Sequence, residues 1–254
     1  MNPPTEVNSL HVRLDEDTGT GWHSKGKMAK SGTCYELRTP PEGRDKSGSP
    51  LVVCIHGIGA YSCHFDGLAT ILAANGYTTL CYDLLGMGRS KFPNPPFMAD
   101  GVTSICSGQG HVDQLRSLMV ELNFHSRPYY LIAHSMGGAI ASLYAAQFKE
   151  EIAGLVLLSP AGLMDMGVIN FLRSPCLSCI RCCVKSHMKG NQKDVKFMIS
   201  LGDFVNESST VCIEESTKIV EQHLQRDEPF EALWACFLNF PLGGPFTAAD
   251  RKTT

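Results

Sequence analysis

Short apolar runs alternate with amphipathic stretches over most of the first 160 residues. Four runs of aliphatic, aromatic and β-branched residues predict buried strands: 51–55, 78–82, 129–133 and 155–158. Apolar residues at helical spacing predict helices over 65–75, 110–122 and 139–148. In the second of these, one face carries Val112, Leu115, Leu118, Met119 and Leu122. A weaker alternation predicts another strand over 33–38.

Strands that alternate with helices, each strand being a continuous apolar run, predict an α/β fold. Its mostly parallel sheet would be flanked by helices on both faces. From residue 164 the pattern changes to helical or irregular apolar patches, which favour a lid. We therefore divide the chain into a polar N-terminal segment (1–30), an α/β core (31–163), a helical lid (164–242) and a C-terminal tail (243–254).

The most informative motif is AHSMGG at 133–138, between a predicted strand and a predicted helix. Ser135 has the small Ala133 two places before it and Gly137 two places after it. This pattern is typical of the nucleophile elbow, a bend too sharp for large side chains at the flanking positions. Such a bend raises the serine hydroxyl above the sheet and directs the N–H of Met136 at the same reacting atom. The motif is common by chance, but the flanking strand and helix favour a nucleophile.

The strand 51–55 leads directly into HGIG at 56–59. Gly57 and Gly59 allow a tight turn that could present the N–H of Ile58 to a developing oxyanion. An ordinary turn at the end of a strand would explain Gly59 equally well.

A further strand leads into DLLGMGRS at 83–90, where we expect Asp83 and Arg89 to brace a glycine turn. The order of these motifs, followed by SPAG at 159–162, resembles the α/β-hydrolase superfamily. It is most similar to the branch of monoacylglycerol lipases, esterases and serine aminopeptidases. Epoxide hydrolases and haloalkane dehalogenases would have aspartate in place of Ser135.

The resemblance implies a serine hydrolase of the α/β-hydrolase fold with a helical lid. Its substrate would be a carboxylic ester, lipid-like or with a small acyl group, cleaved through an acyl-enzyme on Ser135. The N–H groups of Ile58 and Met136 would form the oxyanion hole. The resemblance implies no metal and no cofactor.

In this superfamily the catalytic acid and then the histidine follow the serine in the chain. Residues 245–254 contain one acid, Asp250, and no histidine. We therefore expect the last two strands of the fold to be missing. Asp203 with His223 is an alternative acid and histidine, and Asp165 is another candidate acid. A catalytically incomplete homologue, acting as a binding module or an inactive isoform, stays open beside the enzyme.

Composition narrows the class of protein. The chain has 254 residues, a net charge of −3 and no basic stripe, which argues against nucleic-acid binding. The first ten residues lack the apolar region of a signal peptide, and no apolar run approaches the ~20 residues of a spanning helix. The eleven cysteines suggest no disulfide framework, so we expect reduced thiols and a cytoplasmic location.

Four cysteines cluster within residues 176–183. Three interpretations remain: packing inside the lid, S-acylation with peripheral membrane contact aided by nearby Arg181 and Lys185, and a zinc site. A sheet that ended at the strand 155–158 would also expose an apolar edge, which favours self-association.

Overall fold

The computed structural model describes residues 26–41, 48–92 and 106–162, together with Ala232 and Cys236. In chain order its elements are β1 (Lys27–Met28), β2 (Cys34–Arg38), β3 (Leu51–Ile55), a 3-10 helix (Ser62–Phe65), α1 (Asp66–Ala74), β4 (Thr78–Tyr82), α2 (Gly108–Glu121), β5 (Tyr129–His134), α3 (Met136–Gln147), a 3-10 turn (Lys149–Glu151) and β6 (Ile152–Leu158). None of the described helices has the length and apolar character needed to cross a membrane.

The strands form one six-stranded sheet in the order β1-β2-β4-β3-β5-β6. β1 pairs with β2, and β2 with β4, in antiparallel fashion. β4, β3, β5 and β6 run parallel. The predicted α/β class with a mostly parallel sheet is therefore confirmed. The carboxyl ends of β4, β3 and β5 lie side by side, so the three loops that follow them meet at one edge.

Each face of β3 packs against a different helical layer. The core under α2 and α3 contains the side chains of Leu51, Val53 and Ile55. Leu131 of β5 packs in the same core. Val52 and Cys54 point into a smaller core with Phe65 and Ala69, under α1. All five residues of β3 are buried. Burial on both faces explains why this strand is a continuous apolar run rather than an alternating one.

The helix ends follow the local sequence signals. Ser107 caps α2, where its Oγ accepts a hydrogen bond from the N–H of Gly110 at 3.0 Å. α1 ends at Ala74, and Gly76 then adopts a φ of 94°, which glycine tolerates without strain. Gly76 thus occupies the left-handed position that commonly ends a helix.

The predicted strands 51–55 and 78–82 match β3 and β4. β6 begins at Ile152, earlier than the predicted 155. β6 extends back to Ile152 because Ile152 and Gly154 pair with Tyr129 and Tyr130 of β5, with a register shift at Ala153. α3 likewise begins directly after Ser135, before the predicted 139.

Most of the predicted lid, including the cysteine cluster at 176–183, lies outside the described residues. Ala232 and Cys236 are helical and buried in the core under α2 and α3. The Sγ of Cys236 lies 3.7 Å from Nε2 of His111, on α2. Two positions of the predicted lid therefore pack against the core.

Candidate active site

Ser135 forms the turn between β5 and α3. Its backbone has φ 52° and ψ −119°, an uncommon conformation for a residue with a side chain. Three hydrogen bonds hold it: its N–H donates to the carbonyl of Leu158 at 3.0 Å, and its carbonyl accepts from the N–H groups of Gly138 at 2.9 Å and Ala161 at 2.8 Å. Such conformations cost about 1–3 kcal/mol and persist where the surroundings enforce them, often at functional sites.

The turn leaves no room for a side chain at Gly137. A Cβ there would lie 2.3 Å from the carbonyl oxygen of Ile55 and 2.6 Å from that of His56. Ala133, two residues before Ser135, is fully buried. The close approach of α3 to the end of β3 therefore requires glycine at 137.

The loop after β3 lies against Ser135. A Cβ built on Gly57 would lie 3.0 Å from the Cβ of Ser135 and 3.4 Å from the carbonyl oxygen of His134. The loop turns tightly, because the N–H of Ala60 donates to the carbonyl of Gly57 at 3.3 Å and Gly59 adopts a φ of 69°. The fold thus brings the 56–59 segment and the Ser135 turn together, although they are about eighty residues apart.

Two backbone donors in this region are available. Within 26–41, 48–92 and 106–162, the N–H groups of Ile58 and Met136 donate to no other group. Ser135 itself is half-buried. The site thus combines a half-buried serine with two backbone N–H groups that make no other hydrogen bond among the described residues.

His56 braces this loop. Its Nε2 accepts a hydrogen bond from the N–H of Leu84 at 2.9 Å, so the proton is on Nδ1, which donates to the carbonyl of Gly57 at 2.7 Å. Complete burial lowers the pKa of His56 to about 4. The ring is therefore neutral at pH 7 and fixed in one tautomer.

Asp83 also acts as a brace. Its Oδ2 accepts from the N–H of Arg89 at 2.8 Å, which closes the glycine turn after β4. Its Oδ1 accepts from Ser62, in the loop that follows β3. The first contact confirms the predicted role of Asp83. The sequence analysis did not predict the second contact, because Ser62 and Asp83 are 21 residues apart in the chain.

Among the residues that the structure describes, none is placed as a general base for Ser135. Within the described residues, no side chain hydrogen-bonds its hydroxyl. His111 is fully buried, and its Nε2 faces Cys236; burial lowers its pKa to about 4. His134 directs its Nδ1 toward Gly57. Asp165, Asp203, His223 and Asp250 lie outside the described residues.

Gln114 is a structural residue that the sequence analysis missed. Its side chain donates to the carbonyl of Asp83 at 3.0 Å and accepts from the N–H of Leu85 at 3.0 Å. A detectable signal existed: His111 and Gln114 are polar residues among the apolar positions of α2, and polar groups on a buried face need partners.

Comparison with known proteins agrees with this geometry. Residues 47–208, well over half of the chain, match the model of the family described as "Serine aminopeptidase, S33". The chain belongs to this family. It is thereby a member of the α/β-hydrolase superfamily, which confirms the resemblance seen in the sequence.

Two curated relatives are lipases. The chain is 31% identical to the monoacylglycerol lipase abhd6-B of Xenopus laevis over 141 residues, which cover 55% of this chain and 37% of the relative. It is 32% identical to the monoglyceride lipase of Homo sapiens over 116 residues, which cover 45% of this chain and 36% of the relative. The chain thus spans little more than a third of the length of these relatives.

A solved carboxylesterase from Nitrososphaera gargenis has a similar fold, with a TM-score of 0.56 and 18% sequence identity. The match covers 86% of this chain and 72% of that structure. At this identity the likeness supports the fold alone. Family and fold together place the chain among the α/β-hydrolases, and the lipase and esterase names are those of the similar proteins.

Proposed function

We propose that this protein is a serine hydrolase that cleaves carboxylic esters through an acyl-enzyme on Ser135. The substrate class would be lipid-like esters or esters of small acyl groups. The observation that supports the proposal is the strained Ser135 turn, with the Cβ of Ser135 lying against the loop that contains Gly57 and Ile58. The names of the lipase relatives support the choice of esters.

In this mechanism Ser135 Oγ attacks the ester carbonyl and the alcohol leaves, so the acyl group is bound to the serine. The N–H groups of Ile58 and Met136 hold the negative oxygen that forms during attack. Removing one such donor typically costs about 2.7–4 kcal/mol in the transition state. Water then releases the acid and restores the serine.

A fluorophosphonate that modifies only activated serines tests the proposal. We expect covalent labelling of the wild type at Ser135, found by peptide mass spectrometry, and none in Ser135→Ala. Ser142→Ala is a matched control, because Ser142 is on the same helix and its hydroxyl bonds the carbonyl of Gly138. Folded wild-type protein that stays unlabelled would reject an activated serine.

One observation favours a second candidate function, that of a binding module or inactive isoform. Among the described residues, no histidine reaches the Ser135 hydroxyl, and a serine without a base is a weak nucleophile. This candidate predicts equal, slow hydrolysis of short p-nitrophenyl esters by wild type and Ser135→Ala. Under the enzyme proposal the wild type is faster by at least about 10³-fold.

The base itself can be assigned by substitution. If Asp203 and His223 complete the site, His223→Ala should abolish labelling of Ser135, and Asp203→Asn should slow it. Unchanged labelling in both variants would exclude this pair. It would direct the search to other residues of the chain or to a longer form of the protein.

A further inference from the structure

Two consecutive residues after β4, Asp83 and Leu84, hold both ends of the loop that follows β3. The loop from His56 to Ser62 contains Gly57 and Gly59, so its own sequence does little to restrict its conformation. Besides its internal hydrogen bond from Ala60 to Gly57, the loop is held by contacts from outside.

The first contact holds the beginning of the loop. The N–H of Leu84 donates to Nε2 of His56 at 2.9 Å, and the opposite ring nitrogen bonds the carbonyl of Gly57 at 2.7 Å. The backbone after β4 is thus linked through one imidazole to the glycine that lies against Ser135.

The second contact holds the end of the loop. Oδ1 of Asp83 accepts hydrogen bonds from the N–H of Ser62 at 2.9 Å and from its hydroxyl at 2.5 Å. Asp83 is only 3% exposed, which strengthens these charge-assisted bonds.

Asp83 is itself firmly anchored. Its N–H donates to the carbonyl of Cys34 at 2.9 Å, and its carbonyl accepts from Ser90 Oγ at 2.6 Å and from Gln114. A Cβ at Gly88 would lie 2.3 Å from Oδ2, so the turn packs closely on the carboxylate. β2, α2 and the glycine turn together fix the position from which Asp83 holds the loop.

We infer that Asp83 is a positioning residue for the oxyanion hole: through Ser62 it holds the 56–62 loop so that the N–H of Ile58 is directed toward the carbonyl attacked by Ser135. This inference rests on the proposed function. Its physical basis is that oxyanion donors act at 2.7–3.1 Å and lose their effect when the loop that carries them moves.

The test compares two carboxylate-to-amide substitutions. Asp83→Asn weakens the hold on Ser62. Glu151→Gln is the matched control, because Glu151 also accepts several hydrogen bonds, from Arg116 and from Tyr129, but lies at the start of β6, at the opposite end of the sheet. We expect Asp83→Asn to lower the rate of Ser135 labelling and kcat by about tenfold, with KM within twofold. Glu151→Gln should leave both rates unchanged.

Ser62→Ala serves as a second variant if Asp83→Asn folds poorly. It removes only the hydroxyl contact and leaves the N–H of Ser62 to the carboxylate, so we expect smaller losses of rate and of stability than in Asp83→Asn. Wild-type labelling rates in both folded variants would overturn the inference. Equal losses in Glu151→Gln would also overturn it, since they would indicate a general effect of stability.

Hydrogen exchange gives a readout that does not need activity. The amide of Ala60 donates to the carbonyl of Gly57 and reports whether the loop is closed. We expect it to exchange faster in Asp83→Asn, while the amides of α3 remain as protected as in the wild type. If the wild type fails to label, the proposed function falls, and the exchange of Ala60 still decides whether Asp83 holds the loop. Unchanged exchange would reject the inference.

Discussion

The centre of the sheet and its β6 edge have similar sequences but opposite environments. β3 reads LVVCI and β6 reads IAGLVLL, and both are apolar runs. β3 is buried along its whole length, whereas residues 155–158 of β6 are 38–48% exposed. Leu131 of β5 and Leu155 of β6 are even neighbours in register, yet Leu131 is fully buried. An apolar run therefore predicts a strand, but its neighbours decide how many of its faces are covered.

The two regions are nevertheless coupled at the candidate site. The carbonyl of Leu158 and the N–H of Ala161, at and just beyond the end of β6, hold the backbone of Ser135. The exposed edge thus helps to support a strained turn that belongs to the buried centre. Changes made separately at the sheet centre and in β6 show which region determines the free energy of unfolding and which determines self-association.

We expect the largest loss of stability when acid protonates the buried histidines near the centre of the sheet. Burial lowers the pKa of His56 and of His111 to about 4, below the ordinary 6.5, so the unfolded chain binds more protons between these values. The contribution of these two histidines to the free energy of unfolding is fully present above about pH 6.5. It is lost as the pH falls toward 4, by about 3 kcal/mol for each histidine. Urea unfolding between pH 7.5 and 4 measures this. A flat profile over that range would contradict it.

Truncating the two neighbouring leucines tests the comparison directly. Leu131→Ala removes a fully buried side chain and should lower the free energy of unfolding by about 2–5 kcal/mol. Leu155→Ala, in the adjacent strand, should cost less than about 1 kcal/mol, because its side chain is 38% exposed. Chemical denaturation measures both. Similar losses would mean that β6 is covered in solution.

Gly137→Ala tests the close packing at the centre. Its Cβ would overlap two backbone oxygens at the end of β3, so we expect a loss of about 1–3 kcal/mol and weaker labelling of Ser135. Gly67→Ala, in α1, is the control: its Cβ would meet nothing within 4 Å, and the change should stabilise the helix slightly. In thermal unfolding, the melting temperature should fall for Gly137→Ala and rise slightly for Gly67→Ala.

A lysine on the edge should change association more than stability. We propose that the exposed β6 edge causes self-association, which Val156→Lys should reduce in sedimentation at tens of micromolar, with stability within about 0.5 kcal/mol of wild type. Val120→Lys is the control, since both valines are 48% exposed but Val120 lies on α2. A wild type that sediments as a monomer at this concentration would contradict the proposal.

The sequence predicted the elements well where local signals are strong. β3 and β4 match their apolar runs, and α1 (Asp66–Ala74) lies within the predicted helix 65–75. It predicted the start of β6 poorly, because the pairing of Ile152 and Gly154 with β5, across a register shift at Ala153, extends the strand beyond its apolar run. It also missed Ser62 and Gln114, whose partners are 21 and 31 residues away.

The sequence by itself determined the strands, the small residues around Ser135 and the family to which the chain belongs, because these depend on residue types at short spacing. Only the tertiary structure decided that Gly57 lies against Ser135, that Asp83 reaches Ser62 and that β6 is exposed. The physical reason is the strand order. Placing β3 between β4 and β5 brings three distant loops to one edge of the sheet, while β6 has a described neighbour on one side alone.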